Sequence, residues 1–404
     1  MKPLSVCMIA SGMRARTWQL QPWRYLHEVA CQLAALGHSF TVLSDGRESL
    51  PEGMLRSQVK VRQLPSVRNP AWKPNRPLLD EIHQVAPDVV IWHVGLTSLL
   101  YQVIPNDLNI PIVGLFSNPI YQPSEIAHFG LVKLVKNYRF TSVHLAGSLA
   151  PNWYLRALAS KNGISSLVVQ TITTQRSLEK ACLWSKPIRV IPPGVDEQWS
   201  AWDRPNSGAI RRSWGFKQGD HILAYYGSPA EWRGLNTLIE ALDVARHFDQ
   251  NLKLVILSRS RPNEWVREEH KVMNLVHDCH LETEVKFISG FLEPTTLVDY
   301  VAATDIITLP FELLPSDAPL GVLEALALGK PVVTTRVACL PELVSKGVGY
   351  LAEPGDPNSL SDAIARAVAG KFTEPGKGFP NPEKKPARSW QAMGMEWSHY
   401  LQSL

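Results

Sequence analysis

The sequence of 404 residues predicts an α/β protein built from two doubly wound domains. Short apolar runs of strand length alternate with longer segments whose apolar residues recur at helical spacing, which is the pattern of parallel sheets covered by helices. The length suffices for two domains that each bury a core. Hydrophobic residues make up 45% of the chain and charged residues 19%, a balance that fits a folded protein and argues against disorder.

Apolar runs of strand length mark the first domain, which we place at residues 1–187. They are Leu4–Ala10, Ser39–Leu43, Asp88–Trp92 and Pro111–Phe116. Arg24–Leu36 lies between the first two, has apolar residues at helical spacing and stops at Gly37, a residue common after helix C-termini. Strand, helix and strand in this order are the start of a doubly wound domain.

A second series of apolar runs marks the second domain, which we place at residues 188–388. Its predicted strands are Ile188–Ile191, His221–Tyr226, Leu252–Ser258, Val285–Ile288, Ile306–Leu309 and Pro331–Thr334. The tract 371–388 is rich in Pro, Gly and Lys and predicts a linker. After it, Ser389–Leu404 carries Trp390 and Trp397 in a predicted terminal helix.

The five cysteines are scattered and have neither CxxC nor Cys/His ligand spacing. They predict free thiols in a reducing compartment and argue against a structural metal site. The apolar start of the chain is only of strand length, so no signal peptide is predicted. Because no apolar run reaches the roughly 18 residues of a membrane span, we expect a cytoplasmic protein.

The segment with the clearest chemical content is 315–334, PSDAPLGVLEALALGKPVVT. Pro319 suits the first turn of a helix, and Gly329 suits its end. Backbone N–H groups near Leu320 and Gly321 would then face the crevice beyond the strand ends, where doubly wound sheets bind ligands. Glu324, one turn into the helix, could accept hydrogen bonds from two neighbouring ribose hydroxyls. The alternative is an ordinary amphipathic helix with an exposed glutamate.

The same segment resembles the C-terminal signature of glycosyltransferase family 4, in which two glutamates separated by seven residues precede an Ala-rich helix and a Gly-x-Pro-Val-Val strand. Further stretches resemble the family in the same order. They are VIPPGVD at 190–196, YGSPAEWRGL at 226–235, FISGF at 287–291 and ATDIITLP at 303–310. At the front, Leu26–Ser44 with its LAALGH turn resembles the first helix and second strand of the family. Together these stretches extend over most of the chain.

The resemblance implies the GT-B fold, two Rossmann-like domains facing a cleft, with the helix at 389–404 crossing back to the first domain. It also implies a retaining glycosyltransferase that uses no metal and no cofactor, and whose second domain holds a nucleotide diphosphate sugar. Positive side chains and helix dipoles would stabilise the departing diphosphate. Gly227 and Ser228 open the phosphate loop, and Arg233, followed by Gly234, stands where the family usually has a diphosphate-binding lysine.

Three polar positions depart from the family pattern, and two of them concern the donor. Ser316 replaces the first glutamate of the pair, so Asp317 beside it, or Glu312, would have to supply a carboxylate at the donor sugar. Ser228 replaces the phosphate-loop arginine.

The cation lost at the phosphate loop has candidate replacements. Arg259 or Arg261, at the end of a second-domain strand, could stand in for it. With that replacement the chain is an active enzyme whose catalytic candidates are Arg233, Ser316, Asp317 and His93. Without it the chain is a GT-B protein that has lost catalysis and only binds a nucleotide or glycan.

The acceptor side is assigned to the first domain. Ser117 replaces the histidine that the family has there, with Asn118 beside it, and Gly12 closes the loop after the first strand. His93 follows a buried-looking strand at the end that faces the cleft, which makes it a candidate for acid/base catalysis. A structural histidine is the alternative.

Two charge patterns bear on the partner. Residues 1–76 hold eleven Lys and Arg against four Asp and Glu, which indicates an anionic partner or a merely solvated surface. His128–Phe140 interleaves apolar residues with Lys133, Lys136 and Arg139. This composition is suited to an anionic membrane surface, here the inner face of the membrane. The alternative is a helix that covers the first sheet. A membrane-bound protein would take a lipid or lipid-linked glycan acceptor, and a soluble one a glycoside or secondary metabolite.

Other functions with a similar fold fit less well. A sugar-nucleotide epimerase would need carboxylates and a histidine where Ser316 and Ser117 stand. A phosphorylase would be longer and would carry a lysine for pyridoxal phosphate. No nucleic-acid-binding motif is present, so we expect a nucleotide-sugar donor and a glycan or lipid acceptor as the partners.

Overall fold

The computed structural model describes residues 2–13, 18–45, 59–68, 75–95, 108–160, 163–180, 186–200, 207–259, 265–344, 349–372 and 387–404. Within them lie two parallel sheets, a seven-stranded one in the order β3-β2-β1-β4-β5-β6-β7 and a six-stranded one in the order β10-β9-β8-β11-β12-β13. The strands of the first sheet are β1 Ser5–Ile9, β2 Ser39–Ser44, β3 Val59–Gln63, β4 Val89–Val94, β5 Ile112–Phe116, β6 Ser166–Val169 and β7 Ile188–Val190. Those of the second are β8 His221–Gly227, β9 Leu252–Ser258, β10 Val285–Ser289, β11 Ile306–Leu309, β12 Val332–Thr335 and β13 Gly349–Ala352.

Helices connect the strands in both sheets. In the first domain they are α1 Trp23–Ala35, α2 Arg76–Val85, α3 Pro123–Ala127, α4 Leu131–Lys136, α5 Tyr138–Leu149, α6 Asn152–Ser160 and α7 Ile172–Lys180. Further along the chain they are α8 Ser207–Ser213, α9 Leu235–Ala245, α10 Val266–Asp278, α11 Pro294–Ala302, α12 Leu320–Ala327, α13 Leu340–Val344, α14 Pro357–Phe372 and α15 Trp390–Gln402. No helix among the described residues is both long enough and apolar enough to cross a bilayer.

The predicted fold class, two doubly wound parallel sheets, is confirmed. On β1, Val6 and Met8 belong to one hydrophobic cluster, whereas Cys7 and Ile9 belong to another on the opposite face. Successive strand residues point to opposite faces, so a strand covered on both sides must be apolar throughout. That requirement is why an uninterrupted apolar run predicted this strand.

One predicted strand was assigned to the wrong sheet. Ile188–Ile191 was expected to open the second domain, but β7 pairs in parallel with β6 at the edge of the first sheet, with Leu167 opposite Ile188. A three-residue edge strand carries no local signal for the sheet that it joins. The short strands β3, β6 and β13 were also not predicted.

The terminal helix packs against the first domain, as expected. Ser389 caps α15 by accepting a hydrogen bond from the backbone N–H of Ala392 at 3.1 Å. The indole N–H of Trp397, fully buried, donates to the Tyr25 hydroxyl of α1 at 2.9 Å. A Cβ at Gly394 would lie 2.4 Å from the Cβ of Gln32, so only glycine lets the two helices approach this closely.

Candidate active site

A cavity of about 350 Å³ opens between the two domains, at the carboxyl ends of the second-domain strands. Its second-domain walls come from the loop after β8, the end of β9, the loop after β11 and the start of α12. The predicted donor residues among its lining are Gly227, Ser228, Arg233, Arg259, Ser316, Pro319, Leu320, Gly321 and Glu324. The first domain closes the cavity with Gln19–Gln21 and Arg24.

Glycines shape the loop that carries Arg233. Gly227 has a φ of +135°, and a Cβ there would lie 2.2 Å from a guanidinium nitrogen of Arg233. Gly234, with a φ of +72°, has no room either, because its Cβ would meet the carbonyl oxygen of Pro310. These positions therefore require glycine, which turns the chain so that Arg233 points into the cavity while Gly234 supports it from outside the lining.

Arg233 is held in place and forms no ion pair with any residue that the structure describes. Its guanidinium lies 5.0 Å from the centroid of the Phe311 ring, and its buried Nε–H has no hydrogen-bond partner. Arg259 lies on the same cavity wall because its backbone N–H donates to the carbonyl of Gly227 at 2.8 Å. The two cations thus line the same cavity, where an anionic group could be bound. Arg261, the other predicted replacement, lies outside the described residues.

Helix α12 presents its first turn and Glu324 to the cavity. Pro319 precedes the helix in an extended conformation, and the Tyr226 hydroxyl donates to the carbonyl of Gly321, which fixes the position of the first turn. Burial, with the nearby charge of Asp196, raises the pKa of Glu324 to about 7, against the opposing effect of Arg259 and other cations. Among the described residues this carboxyl has no hydrogen-bond partner, so it is available to a ligand.

Ser316 lines the cavity, but Asp317 does not. The Asp317 carboxylate is completely buried and accepts hydrogen bonds from the backbone N–H groups of Gln170 and Thr171 and from the hydroxyls of Thr171 and Thr174. All these donors belong to the first domain. The geometry therefore does not fit the predicted catalytic role, and Asp317 instead anchors one domain to the other. Burial raises the pKa of this carboxyl to about 6.

Glu312, the other predicted substitute for the missing glutamate, is also engaged elsewhere. Its carboxylate forms an ion pair with Lys133 of α4 at 2.6 Å and accepts from the hydroxyl of Thr237 at 3.1 Å. It is not part of the cavity lining. Neither expected carboxylate therefore reaches the place that the family's first glutamate would occupy.

A second carboxylate contact between the domains lies beside Asp317. Glu342 accepts hydrogen bonds from the backbone N–H groups of Ile172 and Thr173, at 3.0 and 2.7 Å, and from the Thr173 hydroxyl at 2.7 Å. These N–H groups open helix α7, where the helix dipole favours negative charge. Two second-domain carboxylates thus hold the start of one first-domain helix.

The predicted acceptor residues lie at the carboxyl end of the first sheet but outside the cavity lining. The His93 ring Nε2 is 2.9 Å from the Ser117 hydroxyl oxygen, and burial lowers the pKa of His93 to about 4, which leaves it neutral at pH 7. The Gly12 N–H donates to Asp45 at 2.6 Å, and Asn118 packs against the backbone at Gly95. The Ser117 carbonyl accepts a hydrogen bond from the backbone N–H of Asp317 at 2.7 Å, so the structure brings Ser117, and with it His93, next to Asp317 while leaving both outside the cavity lining.

Sequence reasoning missed Arg24 and Asp196, which meet at the cavity. The Arg24 guanidinium lies 2.7 Å from Asp196 and 2.8 Å from Glu28, and the indole N–H of Trp390 donates to Asp196 at 3.0 Å. Asp196 ends the VIPPGVD stretch and Arg24 belongs to a basic and aromatic tract, so both lay in noted segments. Their pairing across 172 positions had no local signal.

Two family models match the chain. The one described as glycosyl transferases group 1 matches residues 206–376, and the one described as glycosyltransferase family 4 matches residues 23–199. The chain belongs to glycosyltransferase family 4. The resemblance predicted from the sequence is thereby confirmed.

Relatives and solved structures agree with this family. The chain is 29% identical over 209 residues to D-inositol 3-phosphate glycosyltransferase of Corynebacterium jeikeium, covering 51% of this chain and 49% of that protein. It is 26% identical over 220 residues to the GDP-mannose-dependent monoacylated alpha-(1-6)-phosphatidylinositol monomannoside mannosyltransferase of Corynebacterium glutamicum, covering 53% and 55%. The chain thus spans about half the length of the curated relatives it matches. The crystal structure of Anabaena HepE in complex with UDP aligns with a TM-score of 0.72 at 16% identity, covering 99% of this chain and 100% of that one. The fold of this family member is GT-B.

Among the described residues, no three His, Cys, Asp or Glu side chains are grouped so that they could hold a metal ion.

Proposed function

We propose that this family member transfers a sugar, with retention and without a metal, from a nucleotide diphosphate donor to a hydroxyl acceptor. The observation that carries the proposal is the convergence of Arg233, Arg259 and Glu324 on one cavity between the domains. The two arginines suit a diphosphate, and a carboxylate one turn into a helix suits a ribose diol. No single local sequence motif would bring these three groups together.

The proposed chemistry follows from the charges. The bond between the anomeric carbon and the diphosphate breaks while a bond to the acceptor oxygen forms, so negative charge grows on the departing diphosphate, whose oxygen takes up the proton that the acceptor hydroxyl releases. Arg233 and Arg259 would stabilise that charge, and the first N–H groups of α12 add a favourable dipole. Ser316 would contact the donor sugar through its hydroxyl, as the cavity-lining residue at the position of the family's first glutamate.

The acceptor is proposed to be a lipid or lipid-linked glycan used at the cytoplasmic side of a membrane. One relative is named for action on a phosphatidylinositol monomannoside. In this chain, support comes from the apolar residues that the α4–α6 region exposes to solvent.

A protein that binds the donor without turnover is the second candidate, and one observation favours it. Asp317 and Glu312 are both bound to the first domain, so neither replaces the missing glutamate. A site that retains the diphosphate cations but lacks a carboxylate at the sugar would keep affinity and lose rate.

Isothermal titration calorimetry against UDP, GDP, ADP and TDP, with and without magnesium, tests the proposal. One nucleotide should bind with equal affinity in both conditions, and Arg233→Ala and Glu324→Ala should each weaken it. Arg212→Ala removes an exposed arginine of α8 and serves as the matched control. Failure of every nucleotide diphosphate to bind would overturn the proposal. Binding without release of sugar from the matching nucleotide sugar, with any acceptor, would favour the second candidate.

A further inference from the structure

Helices α4, α5 and α6 expose an unusual number of large apolar side chains. Six of them form what we call the apolar face, with exposed fractions of 59–82%: Leu131, Val132, Val135, Tyr138, Leu149 and Trp153. Isolated exposed apolar residues are normal, but a run of them over three successive helices marks an interaction surface. Something apolar is therefore expected to cover this surface.

Helix α5 exposes apolar side chains to solvent and buries polar ones. Tyr138, Leu145 and Leu149 lie within about 40° of one another around the helix, because steps of seven and eleven residues return to the same side. All three are exposed, whereas Thr141 and His144 of the same helix are buried, at 3% and 4% exposure. A helix that only covered the first sheet would place its leucines inward. Helix α5 is therefore more than a cover for the first sheet.

The segment that carries the apolar face has charged residues of one sign only. From residue 126 to residue 178 the sequence contains no Asp or Glu, but six Lys and Arg: Lys133, Lys136, Arg139, Arg156, Lys161 and Arg176. Arg156 is exposed one turn beyond Trp153, next to the face. A segment that interleaves apolar side chains with cations and contains no acidic residue of its own has the composition that binds an anionic lipid surface.

Two of these lysines attach the face to the second domain. Lys133 pairs with Glu312 at 2.6 Å, and Lys136 pairs with Glu231 at 3.0 Å. Their partners are on the second domain, so α4 is held with its apolar side chains directed away from those contacts. The exposure of Leu131, Val132 and Val135 follows from this attachment.

We propose that the apolar face inserts into the headgroup region of an anionic lipid bilayer. A second copy of the chain is a less suitable occupant. In a two-fold dimer the same surface meets itself, so two segments that carry cations and no acidic residue of their own would be brought together. An anionic bilayer supplies both the apolar layer and the negative charge.

The apolar face lies next to the donor cavity. The Phe140 ring of α5 stacks on the Trp232 ring at a centroid distance of 4.3 Å, and Trp232 lines the cavity beside Arg233. A bilayer on this face would therefore hold a lipid headgroup hydroxyl near the cleft. This step rests on the proposed transfer reaction, whereas the docking of the face to lipid does not.

Co-sedimentation with phosphatidylcholine vesicles, with and without phosphatidylglycerol, tests the inference. The wild-type chain should sediment with the anionic vesicles, less so at high salt, and little with the neutral ones. The triple variant Leu131→Ser, Val135→Ser, Trp153→Ser should bind roughly tenfold less or weaker still, because it removes most of the inserted apolar surface. Phe248→Ser removes a side chain that is 72% exposed in the second domain, and it should bind as the wild type does.

Further measurements distinguish a failure of the lipid-docking inference from a failure of the proposed function. The thermal midpoint of the triple variant should match that of the wild type, because the changed side chains are exposed. Vesicle binding with no nucleotide binding would support the docking face and overturn the proposed function alone. Absence of wild-type binding to the anionic vesicles, or equal binding by the triple variant, would overturn the inference. A dimer that forms with rising concentration of the wild type, but not of the triple variant, would also overturn the inference, because it would assign the apolar face to a second copy of the chain.

Discussion

The two domains differ in how directly their sequences predict their sites. In the second domain, the predicted glycine loop, Arg233, Arg259 and Glu324 all meet at one cavity. In the first domain, Gly12, His93, Ser117 and Asn118 lie outside that cavity's lining. The difference teaches that glycine turns and a helix start have a sequence signal, whereas contacts between the domains, such as that of Asp317 with Thr171 and Thr174, have none.

The largest effect is expected at Arg233. Arg233→Ala should lower the rate of sugar transfer by about 10²–10³-fold, because a cation that stabilises charge in the transition state is lost. Arg233→Lys should retain part of the rate, since it keeps the charge but not the two-pronged contact. Initial rates with the donor identified by calorimetry measure both. An Arg233→Ala variant as fast as the wild type would contradict the assignment of the diphosphate to this loop.

The next largest effect concerns the contrast between Asp317 and its neighbour Ser316. Asp317→Ala should lower the free energy of unfolding by about 3 kcal/mol or more, because it leaves buried donors of Gln170, Thr171 and Thr174 without an acceptor. Ser316→Ala should change it by less than about 1 kcal/mol while lowering the transfer rate. Urea denaturation measures the free energy of unfolding of both variants, and initial rates measure sugar transfer by Ser316→Ala. Equal stability of the two variants would contradict the anchoring role of Asp317.

The pH dependence of donor binding should come from Glu324. Ribose hydroxyls that donate to the carboxylate favour its ionised form, so binding lowers a pKa that is about 7 in the free protein. Affinity should therefore rise with pH up to about 7 and level off above it, and the rise should be absent in Glu324→Gln. Calorimetry in buffers of different ionisation enthalpy would also detect the released proton. A wild-type affinity independent of pH between about 5.5 and 8 would contradict the contact.

The same raised pKa values affect folding stability in the opposite direction: donor affinity rises with pH, whereas the free energy of unfolding falls. The Asp317 and Glu324 carboxyls have pKa values raised to about 6 and about 7, so the folded state holds protons that the unfolded chain has already released. Their contribution to the free energy of unfolding is greatest below about pH 4 and is lost as pH rises through 6 and 7. The stability of Glu324→Gln should depend less on pH across this window, as urea titrations at several pH values would show.

The smallest effect is expected in the first domain. His93→Gln should leave nucleotide affinity within about twofold, because His93 is outside the cavity lining and is already neutral at pH 7. The pH profile of binding should also be unchanged, as the calorimetric titrations would report. A large loss of nucleotide affinity would show that the end of the first sheet shapes the donor site and would remove the contrast between the domains.

The sequence predicted the sheets and the donor loop because each depends on local chemistry. Apolar runs follow from burial on both faces of a strand, and Gly227 and Gly234 follow from backbone geometry that only glycine adopts without strain. The role of Asp317 could not be predicted. Its partners Thr171 and Thr174 lie about 145 positions away, and only the docking of the two domains brings them to it. The sheet that β7 joins is likewise a matter of pairing at a distance.

The most direct test of the donor site is a crystal structure of the chain with its preferred nucleotide diphosphate. The account predicts the diphosphate between Arg233 and Arg259 and the ribose hydroxyls on Glu324, with Asp317 still bound to Thr171 and Thr174. A nucleotide bound at the end of the first sheet, near His93 and Ser117, would contradict the assignment of the donor to the second domain.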